Sequence, residues 1–243
     1  GLAYLLYPPL GHINIFETHF DSYVIFFLLS AFYYFEKEKF NKFLCFLLLA
    51  LSCKENIGPV VFMFGFYSAL KKRPLKWILT PVVLGAAWFF IAVKLVIPYF
   101  AKDAKLYNNG FMFSVFYQHL GNNFTQIAKT ILFHPLDVLR FALVPEKITY
   151  LFLLFIPTGL IGLLSPAVLL PALPIFMQNL LSSFGTHSRI FYQYAAALIP
   201  FIFLSVVFSF KKLMSNKLIS ANRNGFIALF LLFPVMSGLY TKG

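Results

Sequence analysis

Long apolar runs separated by short basic turns dominate this chain of 243 residues. Hydrophobic residues make up 60% of the sequence and charged residues only 12%, and the mean hydropathy is +0.80. A soluble domain does not carry this composition together with several runs of membrane-spanning length. The sequence therefore predicts an all-α fold, a polytopic transmembrane helical bundle of about 7–9 membrane helices, some of them short.

The positive charge lies between the apolar runs. The formal net charge is +12, which in a soluble protein would suggest a nucleic-acid partner. Here the lysines and arginines occupy turns such as 37–42 and 71–76, as the positive-inside bias of membrane proteins produces. We therefore expect membrane lipids and no nucleic acid as partners, in an integral membrane protein of a prokaryotic plasma membrane.

Polar stretches divide the chain into three parts of a single transmembrane domain. Residues 1–98 form a first helical group, residues 99–147 an extracytoplasmic loop with interfacial helices, and residues 148–243 a second helical group. The first apolar run begins at Gly1 and is stopped by Pro8, so we expect a truncated N-terminus. The predicted helices cover residues 19–35, 40–53, 57–70, 77–97, 148–164, 167–181, 190–210 and 226–240.

Three ionisable side chains cluster at the mouth of the apolar run that continues to Phe35. They are Glu17, His19 and Asp21. Ionisable groups next to lipid are costly, so such a cluster is a candidate functional site. The alternative is structural, because Thr18 followed by Asp21 is a capping-box pattern that satisfies the first amides of a helix.

The basic turns also indicate which polar segments share a face. If each apolar run crosses the membrane once, segments 17–21, 54–55, 99–147 and 187–189 lie together on the extracytoplasmic side. Polar groups in a membrane domain usually face a cavity or one another, which predicts one shared polar site. The sequence contains no P-loop, dinucleotide fingerprint, HExxH pattern or serine-hydrolase elbow.

Short motifs give the chain a resemblance to a family. F-E-T-H-F-D at 16–21, K-E-N at 54–56 and V-I-P at 96–98 resemble, in order, the F-D-F-H-P-E, K-E-D and V-I-P stretches of domain of unknown function 2079. The resemblance continues with Y-Q-H-L-G at 117–121, L-P-A-L-P at 170–174, N-L-L-S at 179–182, Y-Q-Y-A at 192–195 and I-P-F at 199–201. Asn56 and Gln193 stand where the family has Asp and His, which removes a titratable group at each position.

That family is similar to the polytopic glycosyltransferases of the GT-C type. The similarity implies inverting transfer from a polyprenyl-phosphate-linked sugar donor at the extracytoplasmic face. Such an enzyme must neutralise the leaving phosphate and deprotonate the attacking hydroxyl. The residues that would do so are catalytic Glu17, Asp21 and Glu55, with His19, Lys54, Arg189, Tyr192 and Tyr194 binding substrate.

Several alternatives stay open at this point. The cofactor is unknown, and the same carboxylates could hold a divalent cation while a further catalytic carboxylate lies upstream of Gly1. Lys54 and Glu55 could form only an interfacial ion pair, and Arg189 could snorkel to lipid phosphates. A transporter or flippase, or a non-catalytic membrane scaffold, would use the same polar groups as a substrate path or as structure.

Overall fold

The computed structural model describes residues 1–15, 19–100 and 114–241, and its regular structure there is entirely helical. The helices are α1 (Leu2–Leu5), α2 (Pro8–Ile15), α3 (Asp21–Glu36), α4 (Phe40–Cys53), α5 (Ile57–Leu70), α6 (Leu75–Ile91), α7 (Ile97–Phe100), α8 (Ser114–Tyr117), α9 (Phe124–Phe133), α10 (Pro135–Ala142), α11 (Pro145–Phe155), α12 (Leu173–Leu181), α13 (Ile199–Met214), α14 (Lys217–Ala221) and α15 (Arg223–Thr241). A π-helical turn, Ala92–Val96, joins α6 to α7. The all-α fold class is thus confirmed for the described residues.

Two of the described helices are long and apolar enough to cross a membrane by themselves. They are Leu75–Phe100, which runs from α6 through α7, and Arg223–Thr241. The apolar helices Phe40–Cys53 and Ile57–Leu70 have 14 residues each. A helix of that length is about 21 Å long, shorter than the roughly 30 Å hydrocarbon core of a bilayer. The prediction of about 7–9 membrane helices therefore stays a prediction beyond these two.

An aromatic cluster holds α3, α4, α5 and α6 together. The ring of Phe35 lies 5.3 Å from that of Phe64 and 5.5 Å from that of Trp77. Phe43 stacks on Trp77 at a centroid distance of 5.1 Å. Such ring pairs contribute roughly 0.5–1.5 kcal/mol each beyond the burial of their surface. Because all four side chains are buried, the cluster fixes the antiparallel order of these helices.

Contacts of the basic turns bring them to one end of the helices. The guanidinium of Arg73 lies 4.9 Å from the ring of Phe35, donates to the Phe35 carbonyl oxygen at 3.2 Å and forms a salt bridge with Glu38. The ammonium of Lys71 lies 5.2 Å from the ring centroid of Phe208 on α13. We call this end, formed by the turns after α3, α5 and α13, the basic end. The opposite end, where α3 begins and α4 ends, is the site end.

Prolines break two of the predicted helices. The helix predicted at 148–164 is wrong beyond Phe155, where α11 ends, and the helix predicted at 167–181, which we expect Pro171 and Pro174 to bend, is α-helical only from Leu173, after short 3-10 segments. Pro157 and Pro171 lie in those segments. Proline lacks the amide donor that an α-helix interior needs, and its ring collides with the carbonyl one turn earlier. The chain therefore turns between α11 and α12 in irregular helical steps.

Prolines also start helices where the sequence pattern predicts otherwise. The helix predicted at 190–210 begins only at Ile199, with Pro200 in its first turn. Pro8, which we expect to stop a helix, is instead the first residue of α2. The missing amide of proline has no cost in the first turn of a helix, because that amide has no partner there anyway. The chain before α13 is irregular instead, and it forms one wall of the site end.

Close contact between α5 and α6 depends on glycine. A Cβ atom on Gly58 would lie 2.9 Å from the carbonyl oxygen of Gly85, and one on Gly85 would overlap the backbone of Gly58 and Phe62. These distances are below ordinary van der Waals contact, so the two helix backbones touch at this point. Small residues allow the same close approach in membrane helix pairs generally.

We expect Gly85→Ala to force α5 and α6 apart and to lower the free energy of unfolding by about 1–3 kcal/mol. Gly11→Ala in α2 is the matched control, because a Cβ there meets nothing within 4 Å, and it should be neutral or slightly stabilising. Thermal unfolding of both variants in detergent measures the difference. Equal unfolding midpoints for the two variants would contradict this account of the α5–α6 contact.

Candidate functional site

A salt bridge joins the two helix ends at the site end. The ammonium of Lys54 lies 2.9 Å and 3.1 Å from the two carboxylate oxygens of Asp21. Asp21 opens α3, and Lys54 follows the last residue of α4, so the antiparallel hairpin brings the two together. Their side chains are only 14% and 23% exposed, respectively. The pair is therefore shielded from water and is structural as well as polar.

An aromatic side chain covers the ammonium of this salt bridge, and a second ring packs on the first. The Lys54 ammonium lies 5.6 Å from the ring centroid of Tyr194, and the Tyr194 ring lies 4.1 Å from that of His187. Burial, and then the positive charge of Lys54, lower the pKa of His187 to about 4. Its Nδ1 atom is buried and has no hydrogen-bond partner in the described part of the chain. His187 is therefore neutral near pH 7.

A buried amide connects the segment of Tyr194 to α11. Asn179 on α12 donates from Nδ2 to the hydroxyl of Tyr150 at 2.9 Å and to the carbonyl oxygen of Tyr194 at 3.1 Å. Asn179 and Tyr150 are both 1% exposed. Hydrogen bonds in such a buried position hold their partners in one arrangement. This contact fixes the chain around Tyr194 against α11 and α12.

The residues after Lys54 point to another side of the molecule. Glu55 and Asn56 line a cavity beside α12, and Asn56 donates from Nδ2 to Oε1 of Gln178 at 3.3 Å. Because Lys54 pairs with Asp21, the alternative of a Lys54–Glu55 ion pair is wrong. Lys54 and Glu55 are consecutive in the sequence, but their side chains lie in two different sites.

Arg189 lies in a third place, a chamber beside α11. This cavity of about 580 Å³ is also lined by Glu146 and Lys147, and by serines after α12. The Lys147 ammonium donates to the carbonyl oxygens of Leu180 at 2.5 Å and Phe141 at 3.2 Å. Burial lowers the pKa of Lys147 to about 8. We call this cavity the cationic chamber, because two of its side chains are cations.

An apolar groove continues from the cationic chamber between α11 and α15. It has a volume of about 550 Å³ and shares Thr149 and Leu153 with the chamber. The remaining lining is almost wholly apolar: Phe152, Ile156, Leu229, Leu232, Phe233, Met236, Ser237 and Tyr240. We call it the α11–α15 groove. The shared residues show that the groove and the chamber adjoin, an apolar space beside a polar one.

The predicted site residues therefore fall into three groups. Asp21, Lys54 and Tyr194 lie together, and Tyr192 has its ring 6.4 Å from that of Tyr194. His19 is half-buried two residues before Asp21, whereas Arg189 lines the cationic chamber and Glu55 the cavity beside α12. Glu17 lies outside the described residues. The single polar site expected from the sequence is thus divided into three adjoining sites.

Sequence reasoning missed four residues that matter here: Tyr150, Asn179, Glu146 and Lys147. The last two are a detectable signal, since they lie in the first turn of the apolar helix α11, directly after the proline that begins it. The first two are ordinary residues inside apolar runs. Among the described residues, no group of three or more His, Cys, Asp or Glu side chains could hold a metal ion. The divalent cation thus stays a prediction.

Comparison with known proteins adds one family. The family model described as "Predicted membrane protein (DUF2079)" matches residues 1–241. Curated proteins and solved structures give no match. The family description names a membrane location and no activity. The chemistry of the three places at the site end is therefore the basis for any functional conclusion.

The first expected outcome concerns the Asp21–Lys54 pair. We expect Asp21→Asn and Lys54→Met each to lower the free energy of unfolding by about 2–3 kcal/mol, because each leaves a shielded charge unpaired. The double variant should lose about 1–2 kcal/mol less than the sum of the two. The same cycle on Asp137 and Arg140, which are 68% and 80% exposed, is the control. A coupling energy no larger than the control's would contradict a structural role.

The second expected outcome concerns pH. In the unfolded chain His187 has a pKa near 6.5, against about 4 in the fold. Between these values the unfolded state binds more protons, so stability falls as pH falls through that window, by at most about 3 kcal/mol. Unfolding measured from pH 7 to pH 4.5 tests this. His187→Phe should remove this component of the slope, and an unchanged slope in that variant would refute the assignment.

Proposed function

The chain belongs to the DUF2079 family of predicted membrane proteins, and we propose that it is a membrane glycosyltransferase that takes its sugar from a polyprenyl-phosphate-linked donor. The main support is that the α11–α15 groove adjoins the cationic chamber through Thr149 and Leu153. An apolar groove beside a chamber with two cations is complementary to a lipid whose chain ends in a phosphate. The reaction would take place at the site end, on the extracytoplasmic face.

The groove suits the chain of such a donor. One wall comes from α15, one of the two described helices that are long enough to span a membrane. The exposed side chains of Leu229, Leu232 and Met236 line this wall. A polyprenyl chain bound there would remove these apolar surfaces from contact with other lipids and stay within the bilayer. Its phosphate would then meet the polar chamber at the membrane surface.

Two cations would bind the phosphate. The planar guanidinium of Arg189 can donate two parallel hydrogen bonds to phosphate oxygens. Lys147 is held by two backbone carbonyls, so its ammonium is positioned before any ligand arrives. An anion beside it would raise the Lys147 pKa again and keep the ammonium charged. Both cations would stabilise the negative charge that develops as the phosphate leaves.

Glu146 is the carboxylate on the wall of the cationic chamber. In the proposed step it accepts the proton of the acceptor hydroxyl, whose oxygen attacks the anomeric carbon opposite the phosphate. The carbon–oxygen bond to the phosphate breaks, and the phosphate leaves with the bonding electrons. Asp21 is paired with Lys54 and Glu55 lies beside α12, so neither is as well placed for this role.

Arg189→Ala tests the phosphate site. We expect it to weaken binding of polyprenyl phosphate at least about tenfold, because a charge-assisted bidentate contact is lost, while Arg189→Lys loses less. Arg140→Ala is the control, since Arg140 is 80% exposed and, among the described residues, forms a salt bridge only with nearby Asp137. Binding of the labelled lipid to the full chain in vesicles is the measurement. Equal binding by the Arg189 and Arg140 variants would contradict the proposal.

An assay for transfer of a labelled sugar from the lipid donor distinguishes an enzyme from a transporter. In the same variants, Glu146→Gln should abolish transfer and leave lipid binding unchanged, because it removes only the base. A chain that binds the lipid and moves it between leaflets without transfer would be a transporter or flippase. A chain that neither binds nor transfers would refute both functions.

A further inference from the structure

A second amphipathic space lies on the other side of α12 and plays no part in the proposed reaction. The cavity beside α12 has a volume of about 200 Å³, and a cavity of about 400 Å³ lies along α5 and α6. The two share Pro59, Phe89 and Phe124 in their lining, and therefore adjoin. We call it the α5–α6 cleft, with a polar inner part beside α12 and an apolar outer part.

The inner part of the α5–α6 cleft offers hydrogen-bond acceptors and a negative charge. Glu55 lines it, and within the described part of the chain Glu55 forms no salt bridge. The Oδ1 atom of Asn56 is buried and has no hydrogen-bond partner among the described residues, while its Nδ2 is already used by Gln178. Buried acceptors and a half-buried carboxylate call for a ligand that donates hydrogen bonds and carries positive charge.

Aromatic rings surround the same place. Phe89, Tyr117 and Phe124 line the inner part together with Glu55. The hydroxyl of Tyr117 donates to the backbone carbonyl of Gln178 at 3.0 Å, which holds that ring in position. Aromatic faces attract ammonium groups. A carboxylate among aromatic rings thus favours an ammonium ion over a neutral hydroxyl or a phosphate.

The outer part of the α5–α6 cleft has side chains that can contact the phosphate and the acyl chains of a lipid. It is lined by apolar side chains of α5 and α6, by Ala86 and by Lys94 on the π-helical turn. A lysine near the end of this long apolar helix provides a cation that can pair with the phosphate of a phospholipid. π-helical turns inside α-helices are frequent at functional sites. The outer part therefore complements a phosphate with acyl chains.

We infer that the α5–α6 cleft binds a phospholipid with a primary ammonium head group, of the ethanolamine type. The ammonium lies among Glu55, Asn56 and the aromatic rings, and the phosphate lies towards Lys94. A primary ammonium is favoured over a quaternary one, because only N–H donors satisfy the unpaired oxygen of Asn56. This binding does not depend on the proposed glycosyl transfer.

Photo-crosslinking of the full chain in phosphatidylglycerol vesicles tests the inference. The probes are trace diazirine-bearing phosphatidylethanolamine, phosphatidylcholine and galactosyl diacylglycerol. We expect the ethanolamine lipid to label the peptides of α6 and α9 about tenfold more than the other two lipids. Unlabelled phosphatidylethanolamine should compete for this labelling.

Two independent variants should reduce the labelling by the ethanolamine lipid. Glu55→Gln keeps the size of the side chain and removes its charge, and should reduce labelling about tenfold. Ala86→Trp fills the outer part of the α5–α6 cleft. Their matched controls are Asp137→Asn, an exposed carboxylate at the site end, and Ala87→Trp, the exposed neighbour that does not line the cleft. Both controls should label as the original chain does.

Three results would overturn the inference. Equal labelling by galactosyl diacylglycerol would indicate a hydroxyl site, and equal labelling by phosphatidylcholine would indicate an apolar cleft without ammonium recognition. Labelling that survives both Glu55→Gln and Ala86→Trp would place the lipid elsewhere. Arg189→Ala should leave ethanolamine labelling intact, so failure of the proposed function is distinguished from failure of this inference.

Discussion

The salt bridge between Asp21 and Lys54 is the interaction on which the site end depends. It ties the first residue of α3 to the residue after α4, two ends of a short antiparallel hairpin. The carboxylate sits at the positive end of the α3 dipole and the ammonium at the negative end of the α4 dipole, so both helices favour the pair. Tyr194 lies over the ammonium, and His187 packs on Tyr194. The contacts of Tyr194 and His187 therefore hold the irregular chain before α13 against this salt bridge.

The candidate site residues lie in cavities on two sides of α12. On one side, Lys147 and Arg189 line the cationic chamber together with Glu146, and on the other, Glu55 lines the α5–α6 cleft, whose outer part also has Lys94. The side chains of Lys54 and Glu55 diverge because α4 ends before Lys54 and the backbone of Lys54 is extended. Consecutive side chains on extended backbone point in opposite directions.

Much of the fold could be predicted from charge and hydropathy. The helices at 40–53 and 57–70 agree with α4 and α5 residue for residue, since charged or polar turns bound them on both sides. The helices predicted at 148–164, 167–181 and 190–210 are shorter than predicted, because hydropathy does not register the missing amide donor of a proline. For the site, the sequence indicated Asp21, Lys54 and Arg189 but neither their partners nor Glu146 and Lys147. Lys54 pairs with a residue 33 positions away, not with its neighbour Glu55.

The sequence by itself determined the membrane class, the helical fold and the end of the bundle at which the polar residues gather. These follow from composition and from the spacing of charges, which act locally and can be read along the chain. Only the tertiary structure decided that Asp21 neutralises Lys54, that Asn179 joins Tyr150 to the chain at Tyr194, and that Arg189 and Glu55 face different cavities. Those contacts join residues far apart in sequence, and their geometry depends on how short helices of unequal length pack.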